Sequence, residues 1–384
     1  MNSRTIRRLA PQIITVFIVF AVIAYFWFNA YVNMDSFGID FGYGFLTNAA
    51  SFDIQFSLID YDGSSPYYKA YLVGLLNTIL VSVIGIFFAT ILGVTFGIAK
   101  LSSNILVSKL SDFYVEFFRN IPLILQIFFW YFSVLRALPL PENAINIGDA
   151  IYVTIKGVFV PKFIWTNFYF FLSSLIASVI AIIFVLIYAK KQKENLGKEY
   201  PKLIISFLIL LTLCSSGFIF GFVELEFEYP EIYNLSDTVF NFRGGVSIIP
   251  EFLSLVFALS LYTSSFIAEN VRAGILGVGK GQKEVSASLG LTPGQTLKLV
   301  VLPQALRIII PPTTNQYLNL TKNSSLAAAI AYPDLVSVFA GTALNQTGRA
   351  IEIITITMGT YLTLSIFISY FMNLYNTKIA LKEK

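Results

Sequence analysis

About eight apolar runs, each roughly as long as a bilayer is thick, dictate what this chain can fold into. They are Ile13–Tyr31, Tyr71–Ala99, Tyr114–Leu135, Asn167–Tyr188, Leu203–Phe222, Pro250–Ala268, Leu306–Ala340 and Ile351–Tyr375. A helix needs about 20 apolar residues to cross a bilayer, and only helices or closed barrels satisfy their backbone there. Charged residues make up 12% of the chain and hydrophobic ones 56%. A water-facing surface needs about 25% charged residues, so most of this surface faces lipid. The expected fold is therefore an all-α, multi-pass membrane protein with about eight transmembrane helices. Histidine is absent and Cys214 is the only cysteine. That excludes a histidine proton relay, a zinc site of the usual ligands and an intrachain disulfide. The cations gather in no single basic domain, which argues against nucleic-acid binding.

Loop charges set the orientation. Alternate loops carry Arg4, Arg7 and Arg8; Lys100 and Lys109; Lys190, Lys191, Lys193, Lys198 and Lys202; Arg272, Lys280, Lys283 and Lys298; and Lys378, Lys382 and Lys384. Two intervening loops are acidic, one with Asp35, Asp40, Asp53, Asp60 and Asp62, the other with Glu224, Glu226, Glu228, Glu231 and Asp237. Under the positive-inside rule both termini are expected in the cytoplasm. Arg7-Arg8 before an apolar run also fits a cleaved signal. The length of the run, the aromatic belt Tyr25, Trp27 and Tyr31, and the lack of a small-x-small cleavage site favour a retained span.

Between the sixth and seventh spans lies a polar, turn-rich segment. Helix propensity returns from Glu284 to Leu289, with Val285 and Leu289 on one face. Gly290 suits a left-handed helix end. Thr292-Pro293-Gly294-Gln295 then reads as a capping box with proline in the first turn. A second short helix is expected to stop near Val301, because Pro303 disfavours helix at the residue before it. The product is a capped hairpin with an exposed apolar face on the cytoplasmic side. The plain alternative is a loop that only connects two spans.

The seventh span is polar: Arg307, Thr313, Thr314, Asn315, Gln316, Asn319, Thr321, Lys322, Asn323 and Ser324. Pro311-Pro312 is expected to break it. Such groups at membrane depth face a bundle interior or a watery cavity, or bond between helices. Lys322 is expected to snorkel, to pair with Glu116 or Glu269, or to meet a substrate carboxylate. Glu269 and Arg272, spaced i,i+3, suit a helix-surface ion pair.

Glu284, Gly290 six residues later and Leu302-Pro303 resemble the cytoplasmic "EAA" loop of binding-protein-dependent ABC importer permeases, with Val285 and Ser286 in place of the two alanines. Leu302–Arg307, Asn315–Leu326 and Tyr114–Pro122 with Gln126 resemble the polar amino-acid subfamily, and the insert between spans three and six is similar to that of general L-amino-acid permeases. The resemblance implies a type I permease core with an extra N-terminal helix and a two-helix insert. Its parts would be residues 1–69 (anchor helix and periplasmic loop), 70–136 (first part of the core), 137–245 (insert), 246–376 (second part, with the coupling loop 269–307) and 377–384 (cytoplasmic tail). It implies that Glu284, Val285, Ser288, Gly290, Leu302 and Pro303 couple to a separate ATPase. It further implies a substrate path past Asn315, Gln316, Asn319, Lys322, Asn323 and Ser324, and a gate or subunit contact at Glu116, Arg119, Asn120 and Pro122. The implied partners are an ABC ATPase dimer carrying ATP and Mg, a second permease subunit in a heterodimer, and a periplasmic amino-acid-binding protein. The location is the bacterial inner membrane. No Gly-x-x-x-x-Gly-Lys-Ser/Thr occurs, so the chain itself is expected to be non-catalytic. A secondary amino-acid carrier or channel is the alternative, and would not need the capped hairpin.

Overall fold

In the computed structural model the backbone is described for residues 3–36, 42–165, 167–196, 201–219, 225–236 and 239–379. The helices are α1 (Ser3–Ser36), α2 (Tyr67–Ala99), α3 (Ile105–Asn120), α4 (Leu123–Phe128), α5 (Phe168–Leu196), α6 (Lys202–Ile219), α7 (Pro250–Leu276), α8 (Lys280–Ser288), α9 (Pro293–Thr296), α10 (Leu302–Asn323), α11 (Leu344–Thr347) and α12 (Ala350–Ile379). The strands are β1 (Ile145–Ile147), β2 (Ile151–Thr154), β3 (Gly157–Val160), β4 (Lys162–Trp165), β5 (Leu225–Glu228), β6 (Glu231–Ser236), β7 (Val239–Arg243) and β8 (Val246–Ile248). Part of the orientation argument lies outside the described residues. This holds for the side chains of Arg4, Arg7, Arg8, Tyr31, Asp35, Lys190, Lys193, Lys202 and Lys378, and for Asp40, Lys198, Phe222, Glu224, Asp237, Lys382 and Lys384. The chain is mostly helical, and by length and apolarity five described helices can cross a bilayer, or six if the bent pair α3–α4 counts as one span.

The chain divides into two units, residues 1–127 with 255–384, and residues 128–254. In the first, neighbouring segments approach α2 closely at three glycines. A Cβ on Gly93 would lie 2.6 Å from Ile267, one on Gly97 2.6 Å from the Ala268 carbonyl, and one on Gly74 2.9 Å from the Leu335 Cα. Only glycine allows backbones this near, a packing mode typical of membrane helices. Hydroxyl pairs complete the contact: Tyr71 with Thr360 and Thr90 with Tyr317, each at 2.8 Å. At the N-terminal end of α2, Phe45, Ala50, Tyr67 and Ala70 share a buried core with Leu335, Val338, Phe339, Ala343 and Ile353. The loop before α2 thus caps this end of the bundle. By contrast, the apolar stretch of α1 buries none of its side chains within this chain.

In the second unit, β1-β2-β3-β8 form an antiparallel sheet, and β4–β5 and β6–β7 are two-stranded ribbons. The β1–β2 turn uses Gly148 and Asp149 at φ +65° and +54°, the left-handed pair a tight hairpin requires. Helices α5 and α6 pack on each other as a hairpin, with Ser178 against half-buried Cys214. These strands are an addition to the expected helical architecture.

Three expectations about the spans need correction. Tyr114–Leu135 is not one straight crossing: α3 ends at Asn120, and the chain turns through 102° before α4. Pro122 forces Ile121 into an extended conformation (φ −91°, ψ 126°), and the Gln126 amide donates to the carbonyls of Phe118 (2.8 Å) and Ile121 (2.9 Å). Pro311-Pro312 do not break the seventh span, since α10 runs through both. Buried Ile309, Ile310 and Thr313 hold that turn against neighbours, which membrane helices exploit to tolerate proline. The break falls later, in a 3-10 stretch at Ser324–Ile330 that ends on left-handed Ala331. Finally, the second hairpin helix does not stop at Val301. α9 passes into α10 through a π turn, Leu297–Val301. Widening that turn keeps the Pro303 ring off the carbonyl one turn back, so the helix continues past it.

Candidate functional site

The hairpin between α7 and α10 is built almost wholly from local signals. α8 begins at Lys280, earlier than its propensity suggests, and takes in Lys280–Lys283, which read as loop. It ends in a Schellman motif. The Leu291 amide donates to Ser286 O (3.1 Å) and the Gly290 amide to Ala287 O (2.9 Å). Gly290 has φ +76°. One residue further, the Thr292 hydroxyl accepts from the Gln295 amide (3.3 Å) while Gln295 Oε1 accepts from the Thr292 amide (2.9 Å). The reciprocal pair is the capping box, with Pro293 in the first turn. The chain therefore reverses through a turn whose orphan backbone groups are satisfied on both sides.

What the hairpin presents is apolar. Val285 is 60% exposed and Leu289 76%, with Leu297, Leu299 and Leu302 exposed beside them. Glu284 and Ser288 flank this face and are also exposed, whereas Ser286 is buried and Pro303 half-buried. A cavity of about 430 Å³ opens between the arms, lined by Ile275, Lys283, Ala287, Leu291, Pro293 and Val301 among others.

The stems pack closely together. Gly274 and Gly277 let α7 lie against Ala305, Ile308 and Ile309 of α10. At the same end of the bundle Lys100 Nζ lies 3.1 Å from both Asp112 Oδ1 and Glu269 Oε2. Arg272 Nε donates to Glu269 Oε1 at 3.0 Å. The expected i,i+3 pair is thus present inside a wider cluster joining α2, α3 and α7. Lys100 served in the sequence only as an orientation charge, and nothing local signalled its partners. Lys322 forms no pair with Glu116 or Glu269, contrary to one expectation. Glu269 is taken by Lys100 and Arg272, and Lys322 is exposed.

The polar residues of α10 divide by face. Asn315, Asn319 and Lys322, spaced three and four apart, are exposed together with Ile308 and Pro311. Their side chains form no hydrogen bond or ion pair with the described residues. Gln316 and Asn323 are half-buried at the margins, and Ser324 is fully buried, donating to Thr321 O. The structure thus brings three of the six together on one outward stripe and draws Ser324 into the interior. At α3, Glu116, Arg119 and Asn120 are exposed, and the Arg119 guanidinium lies 5.5 Å from the centre of the Phe266 ring. Pro122 is the bend itself.

Several apolar spans, one helix with a polar stripe and a capped, apolar-tipped hairpin between two of the helices are the makings of a membrane transport component. Residues 167–379 match the model of the family described as "Binding-protein-dependent transport system inner membrane component". The chain belongs to that family, and so is a multi-pass inner-membrane component of a transport system. It is 44% identical over 384 residues to the protein YhdX of Escherichia coli K12, covering 99% of this chain and 96% of the relative. It is 45% identical over 379 residues to the general L-amino acid transport system permease protein AapQ of Rhizobium johnstonii, covering 98% and 93%. With the glutamate/glutamine/aspartate/asparagine transport system permease protein BztB of Rhodobacter capsulatus the identity is 38% over 414 residues, covering 98% and 95%.

Proposed function

We propose that this chain is the translocation subunit of an ATP-driven importer of polar and general L-amino acids, and that the Glu284–Pro303 hairpin grips a separate ATPase. The observation that carries the reading is the doubly capped turn holding Val285 and Leu289 in the open. A connector has no use for two exposed large apolar side chains. Burying each in a partner's groove contributes about 1.5–3 kcal/mol. Force on the tip travels through the close α7–α10 contact to the polar stripe of α10.

In this reading Asn315, Asn319 and Lys322 line the substrate path with Gln316, Asn323 and Ser324, because unpartnered polar groups at membrane depth need a wet or polar surrounding. A second permease subunit, in a heterodimer, closes the path from the other side. Glu116, Arg119, Asn120 and the Pro122 bend serve as gate or subunit contact. A periplasmic amino-acid-binding protein delivers cargo, ATP and Mg bind to the partner ATPase, and both termini are cytoplasmic. The names of AapQ and BztB support the choice of cargo.

The test is reconstitution in liposomes. Uptake should require the ATPase and ATP, and Ser288→Cys should crosslink to the ATPase. Uptake driven by an ion gradient alone, with no crosslink, would overturn the reading.

A further inference from the structure

We propose that Glu251, Tyr131 and Arg136 form a binding site for the head group of an α-amino acid, with Glu251 receiving the ammonium and Arg136 the carboxylate. The proposal rests on the amino-acid importer reading above, and adds a cargo site built from residues other than those of the α10 stripe.

Glu251 stands in the first turn of α7 and is 9% exposed. Its Oε1 accepts the Tyr131 hydroxyl at 2.8 Å, while Oε2 is buried with no hydrogen-bond partner. Leaving a buried charged acceptor unmet costs several times what an ordinary hydrogen bond contributes, so such atoms call for a missing donor. The α7 N-terminus carries partial positive charge but does not supply that donor. A water molecule would meet the hydrogen-bonding need and leave the charge. An ammonium group, with three donors and a positive charge, meets both.

The complementary group stands on the other side of the same tyrosine. The Arg136 guanidinium lies 5.9 Å from the centre of the Tyr131 ring. It is exposed and forms no ion pair with a described carboxylate. Its fork is suited to bidentate capture of a carboxylate. Tyr131 therefore holds an acid at its hydroxyl and a base over its face, and the two are not paired with each other. It lies in a π turn, Phe129–Val134, with Arg136 in the 3-10 turn that follows. Irregular turns of this kind often mark functional positions. Separated, unsatisfied charges of opposite sign are what a zwitterion would join.

The test is equilibrium binding to the purified permease–ATPase complex without the periplasmic receptor. The probes are the L-amino acid, of the twenty proteinogenic ones, that the reconstituted transporter takes up fastest, its deaminated acid and its decarboxylated amine. Wild type should bind the amino acid at least tenfold more tightly than either analogue. Glu251→Gln should abolish the preference over the deaminated acid and leave affinity for that acid unchanged. Arg136→Gln, at an exposed position that threatens no core, should abolish only the preference over the decarboxylated amine. A residue that merely held the fold would weaken all three probes alike. Unchanged preferences in both variants would overturn the site, as would normal uptake with no receptor-free binding in wild type. Uptake of none of the twenty amino acids would instead refute the importer reading, and this site with it.

Discussion

Replacing Gly290 by alanine isolates the turn of the hairpin from everything it touches. A Cβ at this position would meet nothing within 4 Å, so the methyl group costs no packing. What it costs is backbone: φ is +76°, and an L-residue there loses about 1–2 kcal/mol. That corresponds to roughly a five- to thirtyfold fall in the population of the turn. The two Schellman hydrogen bonds, at 2.9 and 3.1 Å, go with it. The expected result is a five- to thirtyfold weaker affinity for the ATPase, measured by titrating it against permease in nanodiscs, with membrane abundance unchanged. Gly290→Asn should lose less, because asparagine tolerates the left-handed region. Gly294 is the internal control. It lies four residues on, in the single turn of α9, also in open space but without a left-handed φ. Gly294→Ala should bind as wild type. Wild-type affinity in Gly290→Ala, or an equal loss in Gly294→Ala, would refute the claim that the rigid turn is what the partner reads.

Other perturbations follow from the packing. Thr292→Ala removes one half of the capping box and should destabilise the hairpin by about 1 kcal/mol, visible as faster amide exchange at residues 292–297. Gly93→Val would drive a branched side chain into Ile267, and should abolish accumulation of folded protein, read by fluorescence-detected size exclusion. Gln126→Ala strips the amide that ties the Phe118 and Ile121 carbonyls, and should cost about 1–3 kcal/mol of thermal stability in detergent, with the α3–α4 bend loosened. Lys100→Met leaves Glu269 with Arg272 alone and Asp112 unpaired. Because Asp112 is half exposed, the loss should be about 2 kcal/mol, less than for a fully buried pair, and Lys100→Arg should recover part of it.

The hairpin was legible in the sequence because its determinants are local. A glycine that must turn left, a threonine and a glutamine three apart, and a proline in a first turn act within a few residues of each other. The course of α10 was not. Pro311-Pro312 carry a strong local signal for interruption, but packing of Ile309, Ile310 and Thr313 outweighs it, and the interruption is displaced to Ala331, a residue with no intrinsic liking for φ +58°. The cluster of Lys100, Asp112, Glu269 and Arg272 was half legible. The i,i+3 pair follows from helix geometry, whereas Lys100 reaches Glu269 across 169 residues of sequence. The strands of the insert did leave a trace: Ile145-Asn146-Ile147 alternates, and Gly148-Asp149 is a hairpin turn. They lie between the apolar runs long enough to cross a bilayer, and a reading that looks for such runs passes over strands of a few residues each.

The pairing of β3 with β8 has a topological consequence. Val160 and Val246 are register partners on adjacent antiparallel strands. Everything between them, including the α5–α6 hairpin and the β4–β5 and β6–β7 ribbons, leaves and rejoins the polypeptide at one point. It is a pendant rather than a link. Replacing residues 161–245 by a two-residue reverse turn would join β3 directly to β8 and shorten the chain without reordering the elements on either side, at the cost of the Phe242 ring that stacks on Phe159 at 4.0 Å.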